Sequence, residues 1–260
     1  MSISLRCCLP IFVIVVSSCG QENPSTPKHA DASSPGLTIS EAIQAREDYQ
    51  TTLEALAASR NSLNRQHQAA LASGDTEEQA KILETARSTV FEAIVTEIFP
   101  AWTGTPWDFN GVSQTPGEGK IACGYFVTTT LRDAGFNLPR TKLAQQASQT
   151  IINSLTGRES ISISAGKPIS EIENHIRRSG VGLYIVGLDS HVGFVVYDGS
   201  TLTFVHSSYF TPPRAVVAEP INSDNPLKRS NYRVVGKILD DTLIRKWLRN
   251  EAITVGERNA

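Results

Sequence analysis

The apolar residues of this chain change their period at Pro100. From residue 38 to residue 98 they recur at spacings of three, four and seven, as on a helix with one buried face. The break at Ser73-Gly74-Asp75 divides this segment, and a proline ends a helical pattern because it lacks the N–H donor. We therefore predict an α-helical hairpin over residues 38–98, with the second helix stopping at Pro100. Its role as a spacer, a dimerisation or partner surface, or a prop for the next domain stays open.

Beyond Pro100 the pattern becomes short β-rich runs punctuated by glycine, aspartate and proline. Helices are predicted at residues 123–134, 141–155, 169–179 and 240–250. Strands are predicted at residues 182–187, 191–197, 201–206 and 232–238. A helix followed by an antiparallel meander is typical of the α+β class, so residues 99–260 are predicted to form one α+β domain.

Charge excludes one class of partner. The 260 residues include 24 Lys and Arg against 26 Asp and Glu, a net charge of −2. A nucleic-acid-binding domain normally carries a basic excess or a basic stripe. We therefore expect no nucleic-acid partner.

The N-terminus has the pattern of an export signal. Arg6 precedes an apolar run from Cys7 to Val16, which is too short to span a bilayer but fits a signal peptide over residues 1–18. The next residues, Val16-Ser17-Ser18-Cys19, resemble the lipobox of bacterial lipoproteins, in which the cysteine is acylated. That resemblance implies lipidation of Cys19 and, with glycine following it, an outer-membrane protein facing the periplasm. Residues 19–37 would be a flexible tether; a plain signal peptide is the alternative.

The folded part then keeps one thiol, that of Cys123. Apolar or small residues follow it at helical spacing, and the loop Pro116-Gly117-Glu118-Gly119 precedes it. Cys123 is therefore predicted at a helix N-terminus, where unpaired N–H groups stabilise a thiolate and lower its pKa. The alternative is a silent thiol on the core face.

A thiol nucleophile needs a base, normally histidine. His29 falls in the tether, His67 in the hairpin and His175 in a polar helix, which leaves His191 and His206. A two-residue turn at Asp198-Gly199 would place these two directly opposite each other on a β-hairpin, with Cβ atoms about 4.5–5.5 Å apart. A structural histidine pair, or a metal site completed by Cys123 or His175, is the alternative.

Three segments resemble the NlpC-type cell-wall cysteine peptidases, a papain-like family. Residues 102–111 are similar to its W-x-G-T-x-Y-x-L-G-G segment, and residues 122–125 stand where it has D-C-S-G. Its S-H-V-G-I-Y strand and the following F-I-H-A-S strand are similar to residues 190–195 and 204–208. The resemblance covers residues 102–210.

This resemblance implies a papain-like NlpC-type core, in which the nucleophile helix packs on an antiparallel sheet after the helical hairpin. It implies a peptidoglycan hydrolase that cuts stem peptides without a metal or other cofactor. The catalytic residues would be Cys123, His191 and His206. The substrate-binding residues would be Trp107, Asp108, Gly124 and Ser190.

Several positions depart from the family pattern. Ala122 and Gly124 replace the residues that flank the nucleophile, Asn110 replaces a glycine, and Trp107 replaces a tyrosine whose hydroxyl assists the oxyanion. A long insertion also occupies residues 137–180. The alternatives are a non-catalytic lipoprotein that binds the cell wall, and an amidase of the N-acetylmuramoyl-L-alanine type.

Overall fold

The computed structural model describes residues 39–210 and 212–256. The predicted signal peptide, Cys19, the tether and His29 lie outside the described residues. The described part combines helices with a six-stranded antiparallel sheet, which confirms the α+β class. No helix within it is both long enough and apolar enough to cross a bilayer.

The predicted helical hairpin is confirmed. A short helix α1 (Ile39–Glu47) precedes α2 (Tyr49–Ser73) and α3 (Thr76–Glu92). The break falls where it was predicted: Gly74 ends α2 with a positive φ of 73°, and the Asp75 side chain caps α3 by accepting from the Glu78 N–H. Glycine suits the first position because it has no Cβ, and aspartate suits the second as an N-cap.

The predicted helix end at Pro100 is wrong. A π-helical turn (Ala93–Ile98) leads directly into helix α4 (Phe99–Trp102), so the helical path runs through the proline. In the π turn the Phe99 N–H donates to the Ile94 carbonyl, five residues back. This wider ring gives the pyrrolidine room, and Pro100 then occupies the first turn of α4, where its missing N–H costs little.

The hairpin packs on the following domain, as the prop alternative predicts. Tyr49 Oη donates to Asp133 Oδ2 at 2.6 Å and accepts from Trp102 Nε1 at 3.0 Å. Arg46 donates to the backbone carbonyls of Ala101 and Thr103. Apolar residues of α2 and α3 share one buried cluster with residues of the sheet.

The remaining helices are close to the predicted positions. Three of the four predictions are confirmed with ends shifted by at most two residues, while residues 141–155 form two helices separated at residues 145–147. The helices are α5 (Cys123–Asp133), α6 (Arg140–Ala144), α7 (Ser148–Leu155), α8 (Ile169–Ser179), α9 (Pro226–Arg229) and α10 (Asp241–Leu248).

The sheet has the order β1-β6-β2-β3-β4-β5. All four predicted strands are confirmed, and two edge strands, β1 and β5, were not predicted. The strands are β1 (Ile161–Ala165), β2 (Gly182–Leu188), β3 (Val192–Tyr197), β4 (Leu202–Ser207), β5 (Val216–Pro220) and β6 (Tyr232–Lys237).

Both faces of the sheet are covered. Side chains alternate along a strand, so neighbouring residues enter different layers. Phe194 of β3 packs against Phe126 of α5, with ring centroids 6.0 Å apart. Val195 belongs to a second apolar cluster with α8 and α9. Helix α5 is thereby fixed against β3, the strand that directly follows His191.

Candidate active site

Cys123 is the first residue of α5, as the sequence predicts. Ala122 before it has an extended backbone (φ −80°, ψ 160°) and provides no side-chain cap. The backbone N–H groups of Val192, Gly124 and Cys123 itself lie near the sulfur and favour its thiolate form. The thiol therefore lies where a helix leaves its N–H donors unpaired.

The predicted lowering of the thiol pKa is wrong. Burial raises the pKa of Cys123, and the three backbone donors reduce this increase without reversing it. The free-energy cost of removing a thiolate from water is larger than the stabilisation that these N–H groups provide. At neutral pH the resting side chain is therefore a thiol, which needs a base at the moment it reacts.

The predicted register of the histidine hairpin is also wrong, by two residues. Phe194 pairs with Val205 and Tyr197 pairs with Leu202. The connection is a four-residue turn over residues 198–201, in place of the two-residue turn expected at Asp198-Gly199. In this register Ser208, rather than His206, falls opposite His191.

The two imidazoles nevertheless meet. His191 Nε2 lies 2.8 Å from His206 Nδ1, and the ring centroids are 4.9 Å apart at an interplanar angle of 84°. A shift of two residues keeps both side chains on one face, where diagonal neighbours are within reach of rings. The contact between the two histidines is therefore present, although the strand register from which it was predicted is not the one that the chain adopts.

Gly193 provides the space for this contact. A Cβ at this position would lie 2.8 Å from His206 Cβ and 2.7 Å from the Phe204 ring. Any larger residue would have to displace the His206 side chain. The glycine is needed here for close approach rather than for a special backbone conformation.

A fourth polar residue, Glu219, was missed by sequence reasoning. His206 Nε2 lies 3.0 Å from Glu219 Oε1, and the Phe204 ring stacks on the His206 ring at 4.0 Å. Glu219 lies on β5, where it pairs with Phe204. His191, His206 and Glu219 thus form one continuous hydrogen-bonded row.

Both histidines are neutral in this environment. His191 is 4% exposed and His206 is fully buried. Burial lowers the pKa of His206 to about 3 and, with the neighbouring His206, holds the pKa of His191 well below its usual range. His191 Nδ1 is buried and has no hydrogen-bond partner, the Cys123 sulfur included, so this nitrogen is the unpaired end of the row.

Cys123 and His191 line one cleft of about 440 Å³. Of the predicted substrate-binding residues, Gly124 and Ser190 also line it. Most of the remaining lining comes from the insertion at residues 137–180 and from β6. The further lining residues include Ala144, Gln146, Ala147, Ser148, Gln149 and Tyr232.

The other two predicted substrate-binding residues lie outside this cleft. Trp107 packs on Tyr209 with ring centroids 5.8 Å apart, and Tyr209 in turn lies 5.2 Å from the His191 ring. Asp108 lines a separate depression and is held by Lys120 Nζ and the Asn110 N–H. Tyr209, which sequence reasoning did not identify, is an aromatic residue beside the His191 ring, as is Phe204 at 6.3 Å between centroids.

The loop before His191 is tied down by Asp189. Its carboxylate accepts from the Ser230 hydroxyl and from the backbone N–H groups of Asn231 and Tyr232. These hydrogen bonds lower the pKa of Asp189. They connect the start of β3 to β6 and so help to fix the position of His191.

Gly124, a departure from the family pattern, has a structural reason. A Cβ on Gly124 would lie 2.3 Å from the Ala144 carbonyl oxygen at the end of α6. The insertion therefore occupies the space that the family's serine side chain would need. Helix α6 therefore ends over the start of α5, and the chain leaves the helical path at residues 145–147 before α7 begins.

Placing serine at each of the two flanking positions is expected to have opposite effects on stability. Ala122→Ser adds an N-cap and should stabilise by about 0.5–2 kcal/mol. Gly124→Ser forces a side chain against the Ala144 backbone and should destabilise by about 1–3 kcal/mol, more than the gain in helix propensity returns. Urea unfolding of both variants measures this. Equal stability of Gly124→Ser and the parent chain would show that α6 moves freely.

The metal alternative finds no ligand set in the described part of the chain. Within residues 39–210 and 212–256, no three histidine, cysteine or acidic side chains are grouped to hold a metal ion. The groups around His206 are an imidazole, a carboxylate and a phenyl ring.

Comparison with known proteins found no match. No family model, no curated protein and no solved structure matches this chain. The class that the observations define is an α+β domain with a thiol, two imidazoles and a carboxylate at one end of its sheet.

Proposed function

We propose that this chain is a papain-like cysteine hydrolase of the NlpC type, which cuts stem peptides of peptidoglycan. The observation that carries the proposal is the cleft shared by Cys123 and His191, in which His191 Nε2 is held by His206 while Nδ1 has no partner. A nucleophile, a base and an orienting residue in this order are what thiol catalysis requires. The packing of α5 on the antiparallel sheet also agrees with a papain-like core.

The catalytic cycle begins from neutral groups. His191 Nδ1 takes the Cys123 proton as the sulfur attacks a carbonyl carbon, forming a C–S bond and an oxyanion. The backbone N–H groups at the start of α5 are the donors for this oxyanion. The imidazolium then protonates the leaving amine as the C–N bond breaks, and water, activated by His191, hydrolyses the thioester.

The cleft offers a groove rather than a closed pocket. One side carries Gln146, Ser148 and Gln149 from the insertion, which supply amide and hydroxyl groups for a peptide backbone. Tyr209, next to the His191 ring, lines a neighbouring pocket that also contains Ser190 and His191. Polar groups of both donor and acceptor type suit an extended peptide substrate.

The proposed location follows from the N-terminal residues. A lipid on Cys19 and a tether over residues 19–37 would hold the domain at the outer membrane, facing the periplasm, within reach of the cell wall. Multiple acyl chains on one residue give stable anchoring, whereas a single chain is marginal.

Digestion of purified sacculi tests the function. The full chain is expected to release soluble fragments, and mass spectrometry of their new termini identifies the bond. A new amino terminus within the stem peptide supports the endopeptidase. Release of whole stem peptides from the sugar would identify the amidase instead. Binding to sacculi without any fragments would contradict catalysis and support the non-catalytic wall-binding lipoprotein.

A further inference from the structure

Glu219 is the carboxylate at the β5 end of the hydrogen-bonded row, where it is partly exposed, and the catalytic steps above do not use it. Its carboxylate oxygen lies 3.0 Å from His206 Nε2, and His206 Nδ1 lies 2.8 Å from His191 Nε2. The last nitrogen of the row, His191 Nδ1, has no partner. Each of the two contacts, between Glu219 and His206 and between His206 and His191, needs one donor and one acceptor.

The number of available hydrogens fixes which atom donates and which accepts in each hydrogen bond of this row. A neutral imidazole carries one N–H, and an ionised carboxylate only accepts. With Glu219 ionised, His206 must hold its hydrogen on Nε2, so its Nδ1 accepts from His191 Nε2–H. His191 Nδ1 is then left with a lone pair, which is the form a base needs.

Protonation of Glu219 allows the opposite direction. A carboxyl O–H donates to His206 Nε2, His206 Nδ1–H then donates to His191 Nε2, and the remaining hydrogen lies on His191 Nδ1. In that state His191 cannot accept the cysteine proton. The charge of the Glu219 carboxylate therefore decides whether His191 Nδ1 can act as a base.

We propose that Glu219 is a positioning residue that selects the tautomer of both histidines and so leaves the lone pair on His191 Nδ1. The proposal rests on the proposed function for its catalytic consequence. Its structural part, the position of the two imidazole hydrogens, stands on the contacts alone.

The surroundings of Glu219 support a group that changes charge. Three titratable or polar side chains act on it: His206 from β4, and Asp224 and Asn225 from the segment after β5. Burial and Asp224 raise the pKa of Glu219, while the nearby Asn225 side chain acts to lower it. Because the pKa of His206 is about 3, acidification neutralises Glu219 before it charges His206.

Nitrogen-15 NMR of the histidines tests the proposal directly. In the parent chain near pH 7.5, His206 and His191 should both show a protonated Nε2 and an unprotonated Nδ1. Glu219→Met removes the acceptor and should abolish this preference. It should also lower hydrolysis of sacculi by about 2- to 5-fold, since the two tautomers of the histidine pair then coexist and only one of them leaves the lone pair on His191 Nδ1.

Two further variants separate charge from packing. In Glu219→Gln the amide can accept from His206 Nε2–H through its oxygen or donate to Nε2 through its NH2, so the tautomer preference and the activity should lie between those of the parent chain and Glu219→Met. The acid limb of the pH profile should move to lower pH, because this side chain no longer takes a proton. Glu171→Gln, on an exposed side chain of α8, should change neither the tautomers nor the profile.

The outcomes are distinguishable. A hydrogen on His206 Nδ1 in the parent chain would overturn the proposal, and this measurement does not depend on whether Glu219→Met folds. Unchanged tautomers in a folded Glu219→Met would overturn it as well. The expected tautomers together with no hydrolysis of any sacculus would uphold the role of Glu219 and contradict the proposed function.

Discussion

Cys123→Ala is expected to reduce the hydrolysis of sacculi to the rate of a blank without protein. The sulfur forms the covalent bond to the substrate carbonyl, and a methyl group offers no alternative route. The fold should be retained, because the substitution removes one half-buried atom and the α5 donors can turn to water. Fragment release and the melting temperature, measured on the same preparation, check both expectations.

Cys123→Ser is the matched control for this prediction. Its hydroxyl can accept from the same backbone N–H groups that act on the sulfur, but His191, whose pKa is held well below its usual range, is a weaker base for an alcohol than for the more acidic thiol. Serine should therefore restore the packing without restoring hydrolysis. Full hydrolysis by either variant would contradict a cysteine nucleophile.

His191→Ala is expected to lower hydrolysis by about 10²–10⁴-fold, the usual contribution of a general base. The effect should largely disappear in the background of Cys123→Ala, because the two groups act as one unit. His206→Asn, which keeps a hydrogen-bonding side chain next to His191, should cost less. A loss from His206→Asn equal to that from His191→Ala would mean that His206 is itself the base.

Thiol alkylation should respond differently from hydrolysis. Burial raises the pKa of Cys123, so the thiolate population grows only as the pH rises toward that value. Alkylation of the parent chain by iodoacetamide should therefore increase steadily from pH 6 to 9, about tenfold per unit. His191→Ala should not slow alkylation, because the resting thiol is not paired with an imidazolium. A large loss of alkylation at neutral pH in this variant would show a resting ion pair.

The turn of the histidine hairpin shows where a local signal is insufficient. Asp198-Gly199 favours a two-residue turn, yet the Asp198 carboxylate accepts from the Ser200 and Thr201 N–H groups and from the Thr201 hydroxyl. These bonds close a four-residue loop. Turn residues indicate that the chain reverses, but side-chain hydrogen bonds and the pairing of the strands decide the loop length.

The two missed strands differ in the signal they carry. In β1, Ile161 and Ile163 alternate with serines, which is the period of a strand and was available from the sequence. In β5 the run Val216–Pro220 is short and ends in a proline. Its strand character comes from pairing with β4 at the sheet edge, where a proline is tolerated.

The sequence alone determined the elements whose patterns are local: helix α5 beginning at Cys123, the hairpin break at Gly74, and four strands with His191 and His206 at the ends of two of them. Such patterns depend on backbone preferences and on side-chain periods within a few residues. The tertiary structure decided the state of the thiol, because burial rather than the helix terminus sets its pKa. It also decided the place of Glu219, which lies 13 residues from His206 along the chain and reaches it only through the pairing of β4 with β5.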